Sequence, residues 1–289
     1  MNFLWPSIHR RMAHHRAGAL RLQRVVLVAI TSGLLLAGSA VWGQEAPSAP
    51  TQPDPRNASD PKALEDLASL YMVRKYYPEA IGVYNRLVSL QPKNAVYQNM
   101  LGIAYHQMQN FDGAKKAYRT ALRLNPRYAQ ATNNLAAVEY AQKNYRSAIL
   151  TYLKALELSP GDPVVYSNLG TAYFAYKKYE YAMDCYRYAL MQDPTIFERS
   201  GRAGSIVHQR QVEDMAEFNF YLAKTYAGMN DIDNTLIYIN KAWEAGFKDL
   251  RKNLADEIFA FLATEPRFLE LVARMDAAQQ DSTPAGSNP

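Results

Sequence analysis

Apolar residues along 61–194 recur three and four positions apart in paired runs, and each pair is split by a polar break such as QMQN at 107–110 or AYKK at 175–178. A spacing of three and four marks one face of an α-helix, so each pair predicts two amphipathic helices joined by a tight turn. The pairs return at a fixed interval. LVSLQP closes at Pro92, ALRLNP at Pro126, ALELSP at Pro160 and ALMQDP at Pro194, each 34 residues after the last. A proline drives the residue before it out of the helical region, so these phrases end the second helix of each pair.

Laid out as blocks 61–94, 95–128, 129–162 and 163–194, the chain places the same residue types at the same offsets. Position 7 reads Leu67, Leu101, Leu135, Leu169, and position 8 reads Ala68, Gly102, Ala136, Gly170. Position 11 carries Tyr71, Tyr105, Glu139, Tyr173, with Tyr140 beside Glu139 as a candidate to take the missing tyrosine's place. Position 17 is aromatic throughout, position 20 is Ala80, Ala114, Ala148, Ala182, and position 24 is Tyr84, Tyr118, Tyr152, Tyr186. Small residues at positions 8 and 20 let two helix backbones approach while the tyrosines fill the space around them.

This register resembles the tetratricopeptide repeat family, whose 34-residue pattern has Leu-Gly, Tyr, Ala, an aromatic, Ala and Pro at these offsets. The resemblance implies an all-α, right-handed helical-hairpin solenoid. After Pro194 the rhythm breaks over 195–215, an irregular insertion. It resumes over 216–249, where Leu222, Ala223, Tyr226, Thr235, Ile239 and Ala242 fall on the expected offsets of a degenerate fifth repeat. Residues 250–277 predict capping helices, since a solenoid end must cover its last apolar face. Residues 278–289 read as a disordered tail.

In such a stack the first helices of the hairpins line a concave surface. The family's lining positions 2, 5, 9 and 12 imply a partner-binding groove of Val96, Asn99, Ile103, His106, Gln130, Asn133, Tyr140, Ser167, Thr171 and Phe174. Amides, hydroxyls and apolar groups dominate this lining, without the lysines that clamp a terminal carboxylate. Asn99, Asn133, Tyr140 and Phe174 are the preferred contacts, and Asn134 and Asn168 at position 6 are read as holding the hairpins together. An amide pairs with both N–H and C=O of an extended peptide, which favours sequence-tolerant binding.

Charge removes one class of partner. Residues 1–44 hold Arg10, Arg11, Arg16, Arg21 and Arg24 and no acid, so the remaining 27 basic residues equal the 27 acidic ones. Nucleic acid is therefore not an expected partner. The basic opening runs into an apolar stretch at 25–42 and then into small and polar residues, the layout of a secretory signal, so 1–43 reads as a signal peptide or an uncleaved signal anchor. Either outcome puts the repeats outside the cytoplasm: periplasmic or extracellular if cleaved, held at the inner membrane if not. Residues 44–60 are a Pro-rich linker. Membrane contact is expected only through that N-terminal segment.

The single cysteine, Cys185, excludes an intrachain disulfide and reads as a small buried apolar residue. No nucleophile elbow, zinc-protease helix, phosphate loop or dinucleotide fingerprint occurs, and no cofactor or metal is expected. The insertion is locally basic, with Arg199, Arg202, His208 and Arg210 as a candidate loop for an anionic partner. These features together give a non-catalytic protein-interaction scaffold of the bacterial cell envelope, holding an extended partner segment in its groove. The alternatives are a glycan- or peptidoglycan-binding module and an accessory subunit of an envelope enzyme; a homo-oligomer formed through the solenoid ends is compatible with either.

Overall fold

A computed structural model describes residues 60–198 and 214–281, with the backbone alone over 279–281. The expected signal segment, the basic loop Arg199, Arg202, His208 and Arg210, and residues 282–289 of the expected tail lie outside these residues, while 278–281 continue the last helix instead of starting a disordered tail. The described secondary structure is helical. Four hairpins occupy the four sequence blocks: α1 (Pro61–Val73) with α2 (Tyr77–Leu90), α3 (Ala95–Gln107) with α4 (Phe111–Leu124), α5 (Ala129–Ala141) with α6 (Tyr145–Leu158), and α7 (Pro163–Ala175) with α8 (Tyr179–Gln192). A fifth is formed by α9 (Met215–Ala227) and α10 (Ile232–Glu244). Each helix packs on its neighbours in sequence, which is the stacking of a helical-hairpin solenoid.

The helix ends follow from local chemistry. Asp60, Asn94 and Asp162 cap α1, α3 and α7 by accepting from backbone N–H groups of the first turn, at 3.1 Å from Lys62, 2.9 Å from Val96 and 2.9 Å from Val164. The second helices end where the prolines demand. Gln91, Asn125, Ser159 and Asp193 take φ of −132°, −138°, −140° and −147°, the extended range that a following proline imposes.

Between the two helices of every hairpin one residue is left-handed: Lys75, Gln109, Lys143, Lys177 and Asn230, with φ from 57° to 62°. The next residue's N–H then reaches back to position 11, as in Asn110 to the Tyr105 carbonyl at 2.9 Å and Asn144 to the Glu139 carbonyl at 2.9 Å, so orphan helix carbonyls are satisfied. That backbone bond needs no particular side chain at position 11. Side chains with a Cβ are strained in this region, so Lys75→Gly is expected to stabilise the full chain by about 0.5–1 kcal/mol. Chemical denaturation that shows a loss instead would contradict it.

The core forms where the sequence puts small residues against large ones. Ala80, Ala114, Ala148 and Ala182 are fully buried, and Tyr118, Tyr152 and Tyr186 pack in the same seams without solvent contact. A Cβ on Gly102 would lie 2.5 Å from Cε1 of Tyr118, and one on Gly170 would lie 2.5 Å from Cε1 of Tyr186. The ring thus occupies the space that the missing side chain leaves. Cys185 is buried in α8, where desolvation pushes its thiol well up, in keeping with the apolar role read from sequence.

Glu139 keeps the seat expected for a tyrosine. Its carboxylate accepts from Thr151 Oγ1 at 2.7 Å on α6, while Tyr140 packs against Tyr145 at 5.4 Å. Tyr140 therefore does not substitute at position 11, because the polar contact to Thr151 already serves the facing helix.

The stretch after Pro194 is less irregular at its start than the sequence suggests. Ile196 and Phe197 are buried, and Phe197 sits edge-on to Tyr186 at 5.3 Å and to Phe218 at 6.4 Å, a wedge between the fourth and fifth hairpins. The same junction holds a stacked Tyr179–Tyr221 pair at 4.2 Å and an ion pair from Lys177 to Glu217 at 3.0 Å. Beyond α10, the short helix α11 (Leu250–Asn253), a 3-10 turn (Glu257–Leu262) and α12 (Pro266–Asp281) bring Leu254, Phe259, Leu262 and Leu271 into the core at the end of the stack. Among the described residues no helix is long and apolar enough to cross a membrane.

Candidate functional site

The first helices α3, α5 and α7 carry the candidate groove. Their inner positions are more enclosed than a solvent-facing lining requires. Val96 is 50% exposed and Gln130 is half-buried, whereas Asn99 and Asn133 have no exposure and Ile103, His106, Tyr140, Ser167, Thr171 and Phe174 are buried. Two of the predicted contacts are thus reachable from solvent at the helix starts, and the rest form a layer beneath.

That layer is a chain of amides. Asn134 Nδ2 donates to Asn99 Oδ1 at 2.9 Å, linking α5 to α3, and Asn168 Nδ2 donates to Asn133 Oδ1 at 3.0 Å, linking α7 to α5. Asn133 Nδ2 donates to Asn134 Oδ1 at 3.2 Å and joins the two links. Sequence reasoning separated Asn99 and Asn133 as contacts from Asn134 and Asn168 as structure, yet the four form one array. The positions are adjacent on the helix, and repeats three and four use position 6 to reach position 5 of the repeat before. The Tyr128 hydroxyl is also hydrogen-bonded to Asn99; burial pushes Tyr128 up and this bond partly offsets it. A buried amide without partners costs about 1–3 kcal/mol, so the array forms because each link relieves that cost at both ends.

At position 5 of the fourth repeat the pattern changes to Ser167, whose buried Oγ has no hydrogen-bond partner among the described residues. Its neighbour Thr171 donates to the Ser167 carbonyl at 3.0 Å, and the Tyr186 hydroxyl approaches Thr171 Oγ1 at 3.5 Å. One unspent hydroxyl therefore lies beside the end of the amide array.

Position 12 pairs with position 17 in repeats two to four, a contact not drawn from the sequence although its five-residue spacing was visible there. His106 meets Phe111 edge-on at 5.6 Å, Tyr140 meets Tyr145 at 5.4 Å, and Phe174 meets Tyr179 edge-on at 5.6 Å. Burial pulls the His106 imidazole down to about 4, so it is neutral near pH 7. Among the described residues no group of three His, Cys, Asp or Glu side chains is arranged to hold a metal ion.

The tetratricopeptide repeat family profile matches residues 99–163 and again 163–196. No curated protein sequence matches the chain. Similar solved structures include MamA, residues 41 to the end, from Desulfovibrio magneticus RS-1, at 17% identity over 68% of this chain and 98% of that one, with a TM-score of 0.46. YrrB, described as a TPR protein with an unusual peptide-binding site, is 18% identical over 68% of this chain and 92% of its own, with a TM-score of 0.43. The first TPR of Spaghetti (RPAP3), bound to an HSP90 peptide, is 24% identical over 42% of this chain and 96% of its own, with a TM-score of 0.39. With the repeat profile matched across 99–196 and the hairpins stacked at the same period, this part of the chain is built of tetratricopeptide repeats.

Proposed function

We propose that this protein is a non-catalytic interaction scaffold that holds an extended segment of a partner protein along the inner face of repeats two to four. The observation that carries the reading is the amide array from Asn99 through Asn134 and Asn133 to Asn168, which runs in register across three inner helices. An extended peptide offers N–H and C=O groups at a regular interval, and amides are the side chains that match both. Val96 and Gln130 are the contacts reachable from solvent, and the buried Tyr140 and Phe174 lie beneath them. Ser167 Oγ adds a hydroxyl with its hydrogen bonds still to make.

A peptide that reaches the amides exchanges their mutual hydrogen bonds for its own, and such exchanges are nearly balanced in free energy. Affinity then rests on apolar burial and changes little with salt. The basic and apolar opening of the chain supports a place outside the cytoplasm, at the bacterial envelope.

The test uses the full chain as bait in an envelope extract beside the variant Val96→Asp/Gln130→Asp, which alters only accessible positions. One protein retained by the native chain, lost with the variant and indifferent to salt is the expected result. The same protein retained equally by the variant would remove the inner face as the site.

A further inference from the structure

A second surface lies away from the inner face. At the turns of repeats three and four a cleft of about 630 Å³ is lined by Lys115, Lys143, Arg146, Tyr145, Leu150 and Tyr176 together with Glu139. Arg146 and Leu150 occupy α6, the outer helix of repeat three, while Lys115 comes from α4 of the repeat before and Tyr176 from the turn of the repeat after. Three consecutive repeats therefore build one cleft.

Its chemistry is lopsided. Three cationic side chains face one carboxylate, and that carboxylate, Glu139, already accepts from the Thr151 hydroxyl at 2.7 Å. The Lys115 ammonium donates to the amide oxygen of Gln142, a neutral partner that leaves its charge uncompensated. Arg146 forms no ion pair among the described residues. Between these charges, Leu150 and Tyr176 keep 49% and 41% exposure, large values for apolar side chains lining a concavity. The second helices of the neighbouring repeats carry Lys116 and Asp184 at the position of Leu150, so the apolar spot is confined to this cleft.

We infer that this cleft docks a short acidic segment of a partner protein, with carboxylates on the Lys115, Lys143 and Arg146 side chains and an aliphatic side chain between Leu150 and Tyr176. Charge complementarity decides the occupant: three cations around an apolar spot match a few carboxylates flanking one aliphatic residue. A nucleic acid strand calls for a longer basic track than one cleft supplies. The cleft adjoins the inner face through Tyr145, which packs on Tyr140, but its cations lie outside the groove lining, and its electrostatic character separates it from salt-indifferent binding there.

The probe is a fluorescein-labelled peptide, DELED, titrated into the full chain and followed by anisotropy. Measurable binding that weakens as salt rises, falls about tenfold or more in Lys115→Glu/Arg146→Glu and is unchanged in Val96→Asp/Gln130→Asp is the expected result. Arg146→Gln, at an exposed position, keeps the melting profile while weakening the peptide several-fold, which guards against a folding artefact. No binding by the native chain, or equal binding by the charge-reversed variant, would overturn the assignment. Displacement of DELED by a thymidine oligonucleotide at lower concentration than by unlabelled DELED would also overturn it, in favour of a polyanion.

Discussion

Replacing Gly170 by valine is expected to lower the unfolding free energy by about 3 kcal/mol or more, among the largest losses of any single change in the repeats. The first added carbon would stand 2.5 Å from Cε1 and 2.6 Å from Cδ1 of Tyr186, and 3.2 Å from the Ala182 carbonyl oxygen. Tyr186 has no exposed surface and rests against Phe197 and Phe218, so the ring has nowhere to withdraw without disturbing the junction to the fifth hairpin. Alanine is a different case. Ala68 and Ala136 stand at the same offset opposite Tyr84 and Tyr152, which shows that a small hairpin adjustment accommodates one methyl group. Gly170→Ala also gains up to about 1 kcal/mol of helix propensity, so its net loss is expected to stay under about 1 kcal/mol. Denaturant unfolding of both variants checks the contrast, and a valine variant within about 1 kcal/mol of the native chain would show that the seam is looser than the contacts imply.

The second large effect depends on pH. His106 is held at about 4 by burial, below the ~6.5 of an imidazole in an unfolded chain. The unfolded state therefore binds the extra proton first as pH falls. Stability is intact above about 6.5, declines between 6.5 and 4, and reaches its full loss below the folded value. At pH 4.5 the cost is roughly 2–3 kcal/mol. His106→Phe places at position 12 the residue that Phe174 already supplies in the fourth repeat, and it removes the titration. Thermal melts of the native chain and this variant at pH 7 and 4.5 are expected to diverge only at the lower value. Parallel losses in both would assign the acid sensitivity to other groups.

The repeat architecture was legible because its determinants are local and recur. Prolines at 92, 126, 160 and 194 fix where second helices stop, and the small-residue and tyrosine positions name the seams that the structure buries. The degenerate fifth repeat was readable for the same reason: Leu222, Ala223, Thr235, Ile239 and Ala242 all lie in the core. The left-handed turn residues were not readable, since lysine and glutamine carry no preference for that conformation. They adopt it because the hairpin's closing hydrogen bond requires it. Candidate groove residues were recognised by offset, but an offset does not tell a side chain lying on a surface from one joined to the next helix. That difference arises from how closely α3, α5 and α7 approach, which no single repeat encodes. The turn cleft escaped notice because it draws Lys115, Arg146 and Tyr176 from three repeats at unrelated offsets.

The asparagine array has a mechanical meaning. Flexing that splays the inner helices apart must lengthen the Asn134 to Asn99 and Asn168 to Asn133 bonds, at 2.9 and 3.0 Å, almost at once. Hydrogen bonds weaken steeply outside their narrow range of lengths and angles, so this edge resists stretching. The opposite edge, formed by α4, α6 and α8, has no comparable amide cross-links among its described residues, and its apolar contacts slide at lower cost. A change of curvature in repeats two to four is therefore taken up on the outer side, with the inner row acting as the inextensible cord of a bow.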